Sequence, residues 1–270
     1  MALVDVLVPT YRRPAALAVT LAGLVGQTFR DFRLVVSDQS EDGSSLAAPE
    51  PTAVVRVLRA RGHAVDLRTH LPRRGIAEQR DFLLSLCRSP YALFLDDDLV
   101  LEPDVLEGMV ATLREERCGF VGSAPIGLSF ARDVRPHEQA LELWEGPVRP
   151  ERVRPGTAEW ERHKVHNAAN LWHVEAVLGA RLRGKRRYRV AWVGGCVLYD
   201  AEKLRDVGGF SFWRALPTQH AGEEVLAQMR LLERYGGCAL IPSGVYHQEL
   251  PTTVVDRAVD APLALGTLEP

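Results

Sequence analysis

No apolar run in this chain of 270 residues approaches the roughly 20 residues that a bilayer-spanning helix requires. No integral membrane segment is therefore expected. The opening residues lack the charged-then-apolar pattern of a secretory leader. The four cysteines (Cys87, Cys118, Cys196 and Cys238) lie far apart with no CxxC pair. Reduced thiols and a cytoplasmic location are the expectation, with at most a peripheral seat at the inner face of a membrane. A surplus of one charge is also missing: Lys and Arg total 33 against 35 for Asp and Glu, a formal net charge of −2. No global field draws such a chain to nucleic acid, so any phosphate site has to be local. Internal repeats and low-complexity tracts are absent.

What is present is a 46% hydrophobic composition, ample for a buried core. In the first half, short apolar runs alternate with helical patterns. ALVDVLVP, FRLVVSD, VDLRTHL and YALFL read as strands. RPAALAVTLAGLVGQ, AVVRVLRARG and IAEQRDFLLSLCR read as helices, with QSEDGSSLAAPEPT as a polar loop. That rhythm predicts βαβ units and an α/β fold with a mostly parallel central sheet flanked by helices. The helix PDVLEGMVATLREE and the strand CGFVGS follow, then a stretch of weaker periodicity from 127 to 190. Order returns in the strand and helix of AWVGGCVLYDAEKLRDVGGF, the helix GEEVLAQMRLLERYG and the strand CALIPSGVYH. One domain is expected over residues 1–250, and 251–270 read as a partly mobile tail.

The stretch YALFLDDDLV places Asp96, Asp97 and Asp98 at a strand end. Adjacent carboxylates repel, and such a cluster calls for a cation or a row of hydroxyls to offset the repulsion. Ligands of open α/β sheets bind outside the carboxyl ends of strands, where Asp38 also falls. Alternation along an extended chain predicts Asp96 and Asp98 on one side, with Asp97 directed the other way or curled back at the loop. An acidic loop that merely caps the following helix is the structural alternative.

VLVPTYRR, VVSDQSEDGS, GIAEQRD, FLDDD, VGGCVLYDAEKLRDVGGF and GEEVLAQMRLL occur in the order and spacing of glycosyltransferase family 2, which the chain resembles over roughly residues 3 to 248. The resemblance implies a GT-A (Rossmann-like, nucleotide-diphospho-sugar transferase) fold with a nucleotide-binding half (1–125) and an acceptor-binding half (126–250). It implies inverting, metal-dependent transfer of a sugar from a UDP-, GDP- or dTDP-sugar to an acceptor hydroxyl. The acceptor would be a saccharide, a lipid-linked molecule or a small molecule, as in polysaccharide biosynthesis.

Residue by residue, the resemblance places Pro9, Thr10, Tyr11 and Arg13 against the nucleotide, where a Tyr ring stacks and an Arg pairs with phosphate. Ending a strand and capping a helix is the other account of Pro9 and Thr10. Asp38 takes the base ring, although Gln39 stands where many relatives have a second acid. Arg80 lies near the nucleotide, with Arg73 and Arg74 adding charge before the same helix; a solvated helix face competes. Asp96 and Asp97 meet ribose or sugar. Asp98, with Asp96 and His247, holds Mn2+ or Mg2+, which neutralises the leaving diphosphate.

Glu223 and Glu224 match an acidic pair whose second member is the base, so Glu224 would take the acceptor's proton; two acids opening a helix also suit its dipole. Gly194 and Gly195 let the donor sugar approach the backbone. Trp192, Phe210, Phe212 and Trp213 are either sugar-stacking faces or core. His163, His166 and His173 lack partners at zinc spacing and read as polar helix faces. The region 127–190, with its basic RLRGKRRYR, is expected to shape acceptor choice. Two rivals remain: a phosphohydrolase of the haloacid dehalogenase class using Asp96 as nucleophile, and a non-catalytic nucleotide-sugar-binding relative.

Overall fold

The computed structural model describes residues 1–179, 182 and 184–266. Strand β1 (Val4–Thr10) is buried along its whole length, because helices cover both faces of the sheet to which it belongs. It pairs in parallel with β2 (Phe32–Asp38) and with β4 (Tyr91–Leu95), and β2 pairs in parallel with β3 (Val65–Thr69). Thr10 stands beside Asp38 in this register, and β4 runs alongside to deliver Asp96 at the same edge.

Beyond β4 the sheet changes character. β8 (Cys196–Asp200) is antiparallel to both β4 and β6 (Phe120–Gly122), β6 is parallel to β9 (Gly237–Ile241), and β7 (Arg186–Tyr188) is antiparallel to β9. The strand order is β3-β2-β1-β4-β8-β6-β9-β7, and four of its seven pairings are parallel.

Alternation in β1 sends Leu7 to one face and Val4, Val6 and Val8 to the other. On the first face lie α4 (Ile76–Leu86), α7 (Ala201–Asp206) and α8 (Glu223–Tyr235), with Leu83, Leu204, Leu226 and Leu231 buried. On the second lie α1 (Pro14–Val25), α3 (Pro49–Ala60) and α5 (Val105–Glu116), with Leu17, Leu21, Leu58 and Met109 buried. Each such side chain contributes about 2 kcal/mol of transfer free energy.

Several expectations are refined. The polar loop after β2 holds a short helix, α2 (Ser44–Ala47), and α3 begins at Pro49, whose missing N–H costs nothing in a first turn. CALIPSGVYH is two strands rather than one. After β9 the chain turns through Pro242 and Gly244 (φ +71°), and β10 (Val245–His247) pairs antiparallel with β5 (Leu99–Leu101) in a separate two-stranded sheet. That ladder places His247 opposite Leu99, next to the aspartates.

The region 127–190 has turns of 3-10 helix, one long at Glu159–His166, then α6 (Asn170–Leu178) and β7, anchored by the buried Trp144, Val153 and Val165. Of RLRGKRRYR, residues 181 and 183 lie outside the described residues, while Lys185, Arg187 and Arg189 are paired with acids. Residues 251–266, read as a tail, instead run back over the site. Ala221 N–H donates to Val259 O at 2.9 Å, Ala261 N–H donates to Ala221 O at 2.9 Å, and α9 (Ala261–Leu265) buries Ala261 and Leu265 in the core. All four cysteines are buried and unpaired.

Candidate active site

The carboxyl ends of β1, β2 and β4 open on one side into a cleft of about 520 Å3, bounded across from them by the amino-terminal turn of α8 and by residues 250–260. The acidic tip lies at its floor. The chain leaves the extended conformation at Asp96 and turns into β5, so simple alternation fails and Asp97 and Asp98 both reach toward β1. Thr10 Oγ1 donates to Asp97 Oδ2 at 2.6 Å. Arg13 Nη1 donates to Asp98 Oδ2 at 2.7 Å and lies 3.4 Å from Asp97 Oδ1. His247 Nε2 approaches the same Asp98 oxygen at 3.5 Å. Burial pushes the Asp97 carboxyl up to about 7, against the pull of Thr10 and Arg13. Burial and the neighbouring Asp96 also raise Asp98.

Asp96 faces the other way. Its Oδ1 accepts from Arg80 Nη2 at 3.0 Å, and its side chain is 37% exposed, the most open of the three. Arg80, projecting from α4 and only 3% exposed, also donates from Nε to Glu223 Oε1 at 3.0 Å and places Nη1 3.1 Å from Glu224 Oε1. The last contact is an ion pair without hydrogen-bond alignment, which leaves both atoms short of a full bond. Arg80 was expected beside the nucleotide; its three nitrogens instead each face a carboxylate. One guanidinium cannot offset three carboxylates, two of them buried, and Glu224 carries the deficit: burial, with Asp96 and Glu223 nearby, pushes its carboxyl up to about 8.

Glu224 Oε2 accepts from Gly195 N–H at 3.3 Å. One turn along α8, the Gln228 side chain accepts from Val193 N–H at 2.8 Å and donates to Val193 O at 2.7 Å. Helix α8 thus grips the backbone that carries Trp192, Gly194 and Gly195. A Cβ on Gly195 (φ +74°) would lie 3.0 Å from Pro125 Cγ. A Cβ on Gly194 would meet nothing closer than 3.8 Å, so it would project into free space of the cleft. Trp192 lines the cleft, its far side stacked on His163 with ring centres 6.0 Å apart.

Above the tip, the Arg73 guanidinium lies 4.0 Å from the centre of the Tyr11 ring, and its Nη2 donates to Thr253 O at 3.2 Å. Arg13 Nη2 donates to Pro251 O. Residues 250–257 are therefore strapped over the cleft by two arginines. His220, 1% exposed, accepts from Ala77 N–H through Nε2 and bonds Pro217 O through Nδ1, joining the loop before α8 to the start of α4.

The cleft brings together Pro9, Thr10, Tyr11, Arg13, Arg80, Asp96, Asp97, Asp98, Gly194, Gly195, Glu223, Glu224 and His247. It does not include Asp38. That side chain is fully buried, its Oδ1 accepts from Ser40 N–H at 2.8 Å, Oδ2 has no partner, and Gln39 lines the cleft in its place. Phe210 and Phe212 are core, and Trp213 donates to Asp81 outside the cleft. Four contributors escaped sequence reasoning: Gln79, which lines the cleft and donates to Ser37 O at 2.7 Å, His220, Gln228 and the strap. Gln228 had a signal, its place four residues after Glu224 on one helix face.

Among the described residues, no three His, Cys, Asp or Glu groups stand ready as a metal-ligand set. His247 Nδ1 accepts from Glu249 N–H at 2.7 Å, so the neutral ring carries its proton on Nε2, toward Asp98. Asp98 Oδ2 thus already draws two positive or proton-bearing groups, as an oxygen that calls for a cation does. Hard carboxylate donors with few protein ligands suit Mg2+ or Mn2+, which complete their shells from phosphates and water.

A largely parallel sheet whose strand ends bear a hydroxyl, an arginine and an acidic triad, facing a second acidic pair across a cleft, is an α/β fold of the GT-A class. The sequence profile of glycosyl transferase family 2 matches residues 5–169, more than half of the chain, and the chain belongs to that family. No curated protein sequence matches it. Among solved structures it is similar to S. aureus TarS, with 16% identity, TM-score 0.55, and coverage of 90% of this chain and 36% of that one. It is similar to TarS 1-349 in complex with UDP-GlcNAc, with 16% identity, TM-score 0.55, and coverage of 93% and 60%. The mannosyltransferase PcManGT from Pyrobaculum calidifontis, in complex with GDP-Man and Mn2+, has 18% identity, TM-score 0.52, and coverage of 88% and 56%. The chain spans between 36% and 60% of the length of these structures.

Proposed function

We propose that the protein is an inverting glycosyltransferase that moves a sugar from a nucleoside-diphosphate sugar to an acceptor hydroxyl, with Glu224 as the base. The observation that carries this reading is the placement of Glu224. It is buried, anchored through Oε2 to Gly195 N–H, beside the open space at Gly194 and across the cleft from the acidic tip.

Tyr11 and Gln39 offer a ring face and an amide to the nucleotide. Asp98, with Asp96, would hold Mn2+ or Mg2+, whose charge stabilises the departing diphosphate, while His247, whose Nε2 carries its proton, is no ligand in this arrangement. Gly194 and Gly195 admit the sugar, and the Trp192 face supports the acceptor. The acceptor oxygen attacks the anomeric carbon from the side opposite the diphosphate, which inverts that centre, and its proton passes to a Glu224 oxygen. Glu223 holds Arg80, and Arg80 in turn holds Glu224 and Asp96 in place. The sugar nucleotides seen with TarS and PcManGT agree with such a donor.

A haloacid-dehalogenase-type nucleophile is disfavoured, since the chain belongs to glycosyl transferase family 2. The test is a thermal-shift screen of UDP-, GDP- and dTDP-sugars with and without Mn2+, followed by transfer assays with the stabilising donor. A donor that stabilises the protein and is turned over supports the reading. Binding without turnover over a broad acceptor panel points to a non-catalytic relative.

A further inference from the structure

Three candidates stand out: a basic hollow formed by Arg30, Arg61 and His63, the strap over the cleft, and Arg13. The first is explained by its own structure, since Arg30 and Arg61 both donate to Val25 O at the carboxyl end of α1. The strap leads back to Arg13, which ties it to the acidic tip.

We propose that Arg13 is the resident counter-cation of the acidic tip. In the protein without donor it occupies the place on Asp98 that a divalent cation takes when the sugar nucleotide binds, and so holds metal affinity low until a diphosphate arrives. The inference rests on the metal-dependent reading given above.

The geometry supports it in three ways. Asp97 and Asp98 are adjacent, 7% and 5% exposed, and shielded from the water that would otherwise spread their charge. Arg13 Nη1 sits on Asp98 Oδ2 at 2.7 Å and 3.4 Å from Asp97 Oδ1, bridging the pair. A guanidinium and a divalent cation on one carboxylate oxygen repel each other, so the second to arrive must displace the first.

Displacement has a ready destination. Arg13 belongs to the loop between β1 and α1 that faces the cleft, and a diphosphate offers the paired oxygens that a guanidinium fork binds well. Its other contact, Nη2 to Pro251 O, is to a backbone carbonyl of an exposed residue, which water can satisfy when the arginine leaves. Diphosphate and metal therefore assist one another: one takes up the arginine and the other takes over the aspartate. Such mutual assistance is a coupling free energy and is reciprocal.

The experiment is Mn2+ titration of the full chain, followed by the electron paramagnetic resonance signal of free Mn2+, without nucleotide and with saturating UDP or GDP. In the wild type, Mn2+ is expected to bind weakly alone and about tenfold or more tighter with the matching diphosphate. In R13Q, Mn2+ alone is expected to bind about tenfold tighter than in the wild type, with the nucleotide effect shrinking toward onefold. R13K keeps the cation and is expected to behave as the wild type.

If R13Q matches the wild type in Mn2+ affinity while the nucleotide effect persists in both, Arg13 is not the counter-cation, and the metal-dependent reading survives. If no protein binds Mn2+ even with UDP or GDP present, that reading itself fails. In the wild type alone, Mn2+ affinity that is equal with and without nucleotide overturns the proposal, whether or not R13Q folds.

Discussion

Arg80 Nη1 lies 3.1 Å from Glu224 Oε1, and the same guanidinium meets Asp96 and Glu223 at 3.0 Å each. The contact joins α4 to α8 beneath the cleft and makes the charge state of the proposed base depend on a residue that is only 3% exposed. With three carboxylates against one cation, burial holds the Glu224 carboxyl well above its usual range.

The pH dependence of transfer follows from this. Burial moves the Glu224 carboxyl up from 4.5 to about 8. It accepts a proton only when ionised, so kcat/KM is expected to rise with pH and level off above about 8. A pH–rate profile of the free enzyme checks this; a limb near the ordinary carboxylate range contradicts it.

Removing the cation should destabilise the fold. Arg80→Gln leaves the buried Glu223 and Glu224, and the half-exposed Asp96, without a counter-charge, an expected cost of about 3–5 kcal/mol in urea unfolding near neutral pH. The cost should shrink as pH falls. The stranded carboxyls bind protons more tightly folded than unfolded, so stability is gained on acidification and lost as pH rises. A loss under about 1 kcal/mol would show that the triad is held by other means.

The two glycines should part company. Gly195→Ala forces a Cβ at φ +74° to within 3.0 Å of Pro125 Cγ and is expected to cost about 1 kcal/mol or more of stability. Gly194→Ala meets only ordinary contacts in the empty cleft and should leave the melting temperature unchanged, while donor turnover falls because the methyl fills the sugar's space. Full activity in Gly194→Ala would place the sugar elsewhere.

Much of this arrangement could be read from the amino-acid order. β1, β2 and β4 are almost wholly buried strands, so their mostly apolar runs gave their ends, and with them Thr10 and the aspartates. The acidic pair opening α8 was equally plain. Three-residue strands such as β5 and β10 are too short to show a period, so the ladder that carries His247 to Asp98 was not visible. The shared side expected for Asp96 and Asp98 was misjudged because a turn, and not an extended chain, follows β4. Asp38 was placed at the right strand end, but whether its carboxylate faced the cleft or Ser40 was a matter of tertiary packing. The strap from 250 to 257 has no periodicity at all, and its position depends on Arg13 and Arg73, distant in sequence.

Asp98→Ala should weaken Mn2+-dependent donor binding by about tenfold or more, measured as the thermal shift given by donor with Mn2+ against donor with chelator. Equal shifts in variant and wild type would remove Asp98 from the metal's shell.

The central claim, that Glu224 removes the acceptor's proton, is tested most directly by transfer kinetics and donor binding in Glu224→Gln. The amide keeps the size of the side chain and its bond from Gly195 N–H but cannot take a proton. The turnover number is expected to fall by about 10²–10⁴-fold while donor affinity stays within about threefold of wild type. Turnover that survives in Glu224→Gln would contradict the account.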